Sequence, residues 1–222
     1  MIDLTVIYYT SNRELPGLER LVKENIIKAS GGLPIVSVSQ KPIDFGQNVC
    51  IGDHGTSGFN MFRQVQVACK TAKTKYVVSC EADCLYPPDY FTFIPSKDDK
   101  CYRDTNLYVM GQWRKYFYYK EEGASHAQVI NREFYLNRLN ELFKDAPDWS
   151  TTADWNFPRE RWHQLDVFDM KHTELYRTES PVVQIKSDRS MRHYTHSDRT
   201  PIYKIPYWGD GAEFRKKYYA NS

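Results

Sequence analysis

The stretch KYVVSC, residues 75–80, is apolar on successive positions rather than on alternate ones. A strand wetted on one face alternates. A continuous apolar run belongs to a parallel strand covered on both faces, and parallel strands need long crossovers, usually helical. The chain ahead of it supplies them. LTVIYY, residues 4–9, is apolar and β-branched and predicts a first strand. After the polar TSNRELPG, Leu18, Leu21, Val22, Ile26 and Ala29 recur at helical spacing, and Gly31 and Gly32 stop that helix. PIVSVS, residues 34–39, predicts a second strand, which completes a βαβ unit. A loop rich in Gly, Asp and Asn follows from Lys41 to Gly58, with a short strand near NVCI. Phe62, Val65, Cys69 and Ala72 then share one face of a second helix, which leads into KYVVSC.

Beyond it, TNLYVMGQW and SHAQVINR read as strands on either side of the tyrosine-rich RKYFYYK. Tyr135, Leu139, Leu142 and Phe143 line a further helix, APDWSTTADWNFPRERWH reads as loop plus a short helix, PVVQIK as a late strand, and DGAEFRKKYYANS as a terminal basic helix. The 222 residues, 41% hydrophobic and 26% charged, suit one α/β domain without repeats or a long linker. No run approaches the roughly 18–20 apolar residues of a membrane span. MIDLTVIYYT reads as a first strand rather than a signal peptide, so a cytoplasmic protein is expected. The five cysteines form no C-x-x-C. Cys80 and Cys84 are spaced C-x₃-C with no second pair at zinc-site spacing, so buried free thiols in a reducing compartment are expected.

Where KYVVSC ends, Glu81 and Asp83 follow with one alanine between them. Two carboxylates this close repel, and burial raises the cost. In open α/β sheets ligands bind outside the carboxyl ends of the strands. A divalent cation with phosphate oxygens would balance the pair there, and Mn²⁺ and Mg²⁺ take carboxylate, phosphate and water oxygens.

Three segments, VIYYTSN, PIVSVSQKPIDFGQNV and FRQVQVACKTAKTKYVVSCEADCLYPPDYF, together resemble a GT-A-fold glycosyltransferase that uses nucleotide-sugar donors, over residues 4 to about 145. That family's metal motif is usually Asp-x-Asp; here Glu81 stands first. The resemblance implies a GT-A-like (Rossmann-like) mixed sheet flanked by helices in a single domain, residues 1–100 forming a nucleotide-sugar-binding half and residues 101–222 an acceptor-binding half. It implies Asp83 as the main metal ligand, Glu81 near the ribose or a metal-bound water, and Tyr9, Thr10 and Asn12 facing the base. Asn48 and Gln64 join the donor site, and Ser125 and His126, in GASHAQVINRE, face the donor sugar. The implied cofactor is Mn²⁺ or Mg²⁺, the donor a nucleoside-diphosphate sugar, foremost a UDP-sugar, and the activity a hexosyl- or pentosyltransferase. A late histidine often completes such a metal shell, and MRHYTHSD offers His193 and His196, the second favoured, with Arg192 and Arg199 for diphosphate oxygens. An inverting transfer needs a base for the acceptor hydroxyl. Among Asp148, Asp154 and Glu160, Asp154 is favoured, because the tryptophans around it would desolvate it. An N-capping aspartate is the plainer reading of the same residue.

RKYFYYK and FRKKYY interleave cations with aromatic rings, which suits phosphates and bases. They raise DNA carrying a hydroxymethylated base as an acceptor, the chemistry of phage-type base glycosyltransferases, against a saccharide or lipid-linked glycan. A nucleotidyltransferase would want a Gly-rich basic loop after the first strand, and TSNRELPG fits that poorly. A non-catalytic nucleotide-sugar- or nucleic-acid-binding module would not need Asp83.

Overall fold

The computed structural model describes residues 3–120, 123–150, 170–190 and 200–219. Three parallel crossings build the first part. Strand β1 (Leu4–Thr10) leads through helix α1 (Pro16–Ala29) to β2 (Ile35–Ser39). Strand β3 (Gln47–Cys50) follows, and helix α2 (Gly58–Thr71) crosses to β4 (Tyr76–Glu81). Pro16 starts α1 at a position that needs no backbone N–H. The Ser57 side chain caps α2 by accepting from the Asn60 N–H at 3.0 Å. Between β2 and β3 the chain turns at Gly46, with φ +62°; an added Cβ would lie 2.4 Å from the Ile35 carbonyl oxygen, so only glycine fits there.

The second part of the chain completes the same sheet. Strands β5 (Cys84–Leu85), β6 (Cys101–Asp104), β7 (Leu107–Gly111), β8 (Tyr118–Lys120) and β9 (Gln128–Asn131) precede helix α3 (Arg132–Leu142). The last residue of β9, Asn131, is itself the cap of α3. Strands β10 (Thr173–Tyr176), β11 (Val182–Lys186), β12 (Lys204–Ile205) and β13 (Gly209–Asp210) lead to helix α4 (Gly211–Tyr219). The seven-stranded sheet runs β10-β6-β9-β4-β1-β2-β3, and strands from both sides of residue 100 belong to it. Strands β3, β2, β1 and β4 are mutually parallel, and β9 pairs antiparallel with both β4 and β6. A four-stranded sheet, β5-β11-β7-β8, packs beside it. The expected mixed α/β sheet flanked by helices is thus what the chain forms.

The apolar run of β4 has the cause read from it. Val78 and Cys80 face one core with Leu4, Val6, Tyr8 and the α1 residues Leu18, Val22 and Ile26. Val77 faces a second core with Ile7, Tyr9, Phe62, Val65 and Leu139 from α2 and α3. Among the described residues, no helix is long and apolar enough to cross a membrane.

The basic-aromatic stretches differ from the reading that made them base-stacking surfaces. Phe117, Tyr118, Phe214 and Tyr218 are buried, and Phe117 and Phe214 meet at 5.1 Å in the core. Among the described side chains of these stretches, the exposed ones are the cations Arg114, Lys115, Lys216 and Lys217. The strong β-propensity of YFYY and the amphipathic spacing of Phe214 and Tyr218 explain the burial.

Candidate functional site

Strands β1 and β4 run side by side, with Tyr9 opposite Glu81, so their carboxyl ends open at one edge. The chain leaves β4 at Glu81, turns through Ala82 and Asp83, and returns as β5, whose Cys84 pairs with Gln184 of β11. The Ile185 N–H donates to the Asp83 carbonyl at 2.7 Å, so the turn is pinned against the end of β11. That pairing brings together residues a hundred positions apart.

Asp83 is nearly closed off, and both its oxygens are engaged. Oδ2 accepts from Lys186 Nζ at 3.0 Å and from Gln184 Nε2 at 3.1 Å, and Oδ1 accepts the Cys84 thiol at 3.2 Å. Side-chain exposures of 11% and 13% make Asp83–Lys186 a largely desolvated ion pair. Burial pushes the Lys186 ammonium down, but the charge and hydrogen bond of Asp83, with Cys84 and Glu81, outweigh it and hold the ammonium above its ordinary value.

Glu81 accepts from the Tyr9 hydroxyl at 3.1 Å. Burial first and the Asp83 charge second raise its carboxyl to about 7. Tyr86, fully buried, ties two parts of the site together: its hydroxyl accepts from the Glu81 N–H at 2.9 Å and donates to the His126 carbonyl at 2.8 Å. His126 sits in the turn before β9, 4% exposed, and its Nε2 is buried without a partner among the described residues. Burial, then the charges of Lys120, Lys186 and Arg103, hold its pKa well below the usual value, so the ring is neutral. One donor atom each from Glu81, Cys84 and His126 lies within 4.8 Å of the others. Glu14, on the loop after β1, accepts from Ser187 Oγ at 2.9 Å, and burial and Asp83 raise it to about 7.

The remaining sequence-derived residues divide. Gln64 is buried and donates to the Thr10 carbonyl at 2.8 Å and the Val38 carbonyl at 3.2 Å, so it clamps the ends of β1 and β2 from α2. Asn48 donates to Ser37 Oγ and Ser39 Oγ, each at 2.9 Å, and accepts from the Ile43 N–H at 3.3 Å. Thr10 Oγ1 accepts from the Asn12 N–H at 2.9 Å, and Asn12, with φ +55°, accepts from the Lys41 N–H at 2.8 Å. These four shape the strand ends through contacts within the protein. Asp148 is exposed. Asp154, Glu160, Arg192, His193, His196 and Arg199 lie outside the described residues. Sequence reasoning missed Lys186, Gln184, Cys84, Glu14 and Tyr86. Lys186 had one visible signal, a lysine closing the apolar strand VVQI.

The Mn²⁺ or Mg²⁺ that the resemblance implies would have to share Asp83 with the partners this carboxylate already has. Lys186 already supplies the positive charge, and Gln184 and Cys84 take the other hydrogen-bonding positions. The donors left over are one carboxylate, one thiol and one imidazole. Sulfur and nitrogen suit borderline ions better than hard ones.

No family model matches the sequence, and no curated protein matches it. Among solved structures, the chain is similar to a glycosyltransferase involved in the glycosylation of the major capsid of PBCV-1, at 11% identity and a TM-score of 0.46 over 82% of this chain and 92% of that one. It is similar to residues 1–349 of S. aureus TarS in complex with UDP-GlcNAc, at 12% identity and a TM-score of 0.47, covering 88% and 60%. A third is the mannosyltransferase PcManGT from Pyrobaculum calidifontis in complex with GDP-Man and Mn²⁺, at 14% identity and a TM-score of 0.45, covering 83% and 56%.

Proposed function

We propose that the protein is a glycosyltransferase that moves a sugar from a nucleoside-diphosphate sugar to an acceptor hydroxyl. The observation that carries this reading is the gathering of Glu81, Asp83 and Lys186 at the carboxyl ends of β4 and β11, beside the end of β1. Ligands of open α/β sheets bind at such an edge. Lys186 supplies positive charge facing the diphosphate, and Asp83 fixes where that charge stands. The loop after β1, shaped by Asn12 and by the Gln64 clamp on Thr10, lies on the side proposed for the base.

In the transfer, an acceptor oxygen bonds to the anomeric carbon, the bond from that carbon to the diphosphate breaks, and the hydroxyl proton passes to a base. Asp154 is the base assigned here for an inverting reaction, on the sequence argument alone.

For the acceptor, a saccharide or other polyol is favoured over DNA. Four of the rings that made the case for base stacking, Phe117, Tyr118, Phe214 and Tyr218, are core residues, whereas Trp113, 62% exposed, sits just beyond the Lys186 end of the second sheet. The Gln112 N–H donates to the Lys186 carbonyl at 2.8 Å, which fixes that proximity. Exposed aromatic faces stack on sugars as well as on bases.

The test is a panel of UDP- and GDP-sugars, read as release of free nucleoside diphosphate with and without glycan acceptors. At least one donor should be hydrolysed slowly and transferred faster. Asp83→Asn should reduce turnover at least about a hundredfold while the far-ultraviolet circular dichroism stays unchanged. If no sugar nucleotide is turned over or raises the melting temperature, the proposal fails.

A further inference from the structure

Asp83 and Lys186 form one ion pair at this site. Next to them stand Glu81, Cys84 and His126, with donor atoms mutually within 4.8 Å. Two features of this trio are costly without a ligand. The Nε2 of His126 is buried with no partner among the described residues, and an orphaned buried polar atom costs about 1–3 kcal/mol. Glu81 lies buried against Asp83, and the charges of Lys186 and Lys120 offset only part of that cost.

We propose that Glu81, Cys84 and His126 form a divalent-metal site of borderline, Zn²⁺-type preference, distinct from the Asp83–Lys186 pair. A carboxylate and a thiolate carry two negative charges, which one dication neutralises, and the neutral imidazole adds a third donor at no charge. On binding, the Cys84 thiol gives up the proton it now directs at Asp83 Oδ1, a sulfur–metal bond forms, and the proton leaves to solvent; nothing is oxidised or reduced. The ligand types are those of borderline ions, and three protein ligands leave the fourth tetrahedral position open. Tyr86 holds the backbone of two of the three, donating to the His126 carbonyl and accepting from the Glu81 N–H, as supporting residues around metal ligands do. Under the proposed function the open position would take a donor phosphate oxygen, but the site itself rests only on these three side chains.

The experiment uses Co²⁺ as a spectroscopic probe of the full chain under anaerobic conditions, without nucleotide, in a Cys50→Ser background because Cys50 is the exposed thiol. One equivalent of Co²⁺ should give a sulfur-to-cobalt charge-transfer absorption in the near ultraviolet. Zn²⁺ should displace it and equimolar Mn²⁺ should not. Cys84→Ser should remove the band, His126→Gln should weaken Co²⁺ binding by at least about tenfold, and Lys186→Met should leave the band in place. Circular dichroism and melting temperature report whether each variant is folded. Should a variant unfold, the wild-type band and its displacement by Zn²⁺ still decide the question. Absence of the band in the folded wild type, its persistence in Cys84→Ser, or its loss in Asp83→Asn but not in Cys84→Ser would overturn the proposal. Sugar-nucleotide turnover plays no part in this readout, so the two proposals stand or fall separately.

Discussion

Lys186→Met isolates the ion pair on which the site is built. Methionine keeps most of the length and volume of the lysine stem, so packing changes little. What changes is charge. Asp83, at 11% side-chain exposure, is left with only the Gln184 N–H at 3.1 Å and the Cys84 thiol at 3.2 Å. Removing one partner of a buried pair costs about 3–5 kcal/mol. Two surviving hydrogen bonds and the residual solvent contact place the expected loss near the lower end, about 3 kcal/mol. Urea unfolding at pH 7 measures it as a shift in midpoint at constant slope. The companion Asp83→Asn/Lys186→Met removes both charges, and the pairing energy should return: the double variant is expected to lie at least about 2 kcal/mol above the sum of the two single losses. Single losses below about 1 kcal/mol, or strict additivity, would show that Lys186 and Asp83 are screened by water, and the account of the site as a desolvated pair would be wrong.

Two further outcomes follow from the geometry. Tyr86→Phe removes one hydroxyl and orphans both the Glu81 N–H and the His126 carbonyl; a loss of about 2–4 kcal/mol in chemical unfolding is expected, together with weaker Co²⁺ binding, and an unchanged protein would refute the bridging role. Glu14 has a folded pKa of about 7 against an ordinary 4.5, so the folded state holds the extra proton between those values; its contribution to stability is present below pH 4.5 and is lost as pH rises through 7. The wild type should therefore lose about 2 kcal/mol across that window relative to Glu14→Gln, after allowance for water around a part-exposed group, and parallel pH profiles would contradict it.

Much of the fold was legible because its signals are local. The continuous apolar run of β4 required cover on both faces, and the two cores supply it through alternate residues. The helical spacings of α1 to α3 needed only the residues within each helix. Strands β5, β6, β10, β12 and β13 were missed. They are two to four residues long, too short for a period to show, and β6 and β10 are set by neighbours across the sheet rather than by their own composition. YFYY shows the opposite failure. Its composition invited a surface role, but Phe117 packs on Phe214, which lies about a hundred residues further along the chain. Residues 151–169 and 191–199, which carry Asp154, His193 and His196, lie outside the described residues.

The site was half legible for a related reason. A pair of carboxylates closing a buried strand announces a missing positive charge, and that much can be read from residues 76–83 alone. The sequence does not show where the charge comes from, because Asp83 meets Lys186 through a pairing of β5 with β11 that spans a hundred residues. Part of the compensation sought for Asp83 comes from the protein itself, through Lys186. This changes the meaning of the neighbouring cysteine. Read by spacing, Cys80 and Cys84 look like an incomplete zinc pair. Both are buried in the same core, and Cys84, brought round by the turn at Asp83, stands beside Glu81 and His126. A metal site assembled from a strand end, a returning strand and a turn before β9 has no sequence period to betray it. Its signature is chemical instead: a thiol, a carboxylate and an imidazole gathered around a buried nitrogen that none of the described residues satisfies.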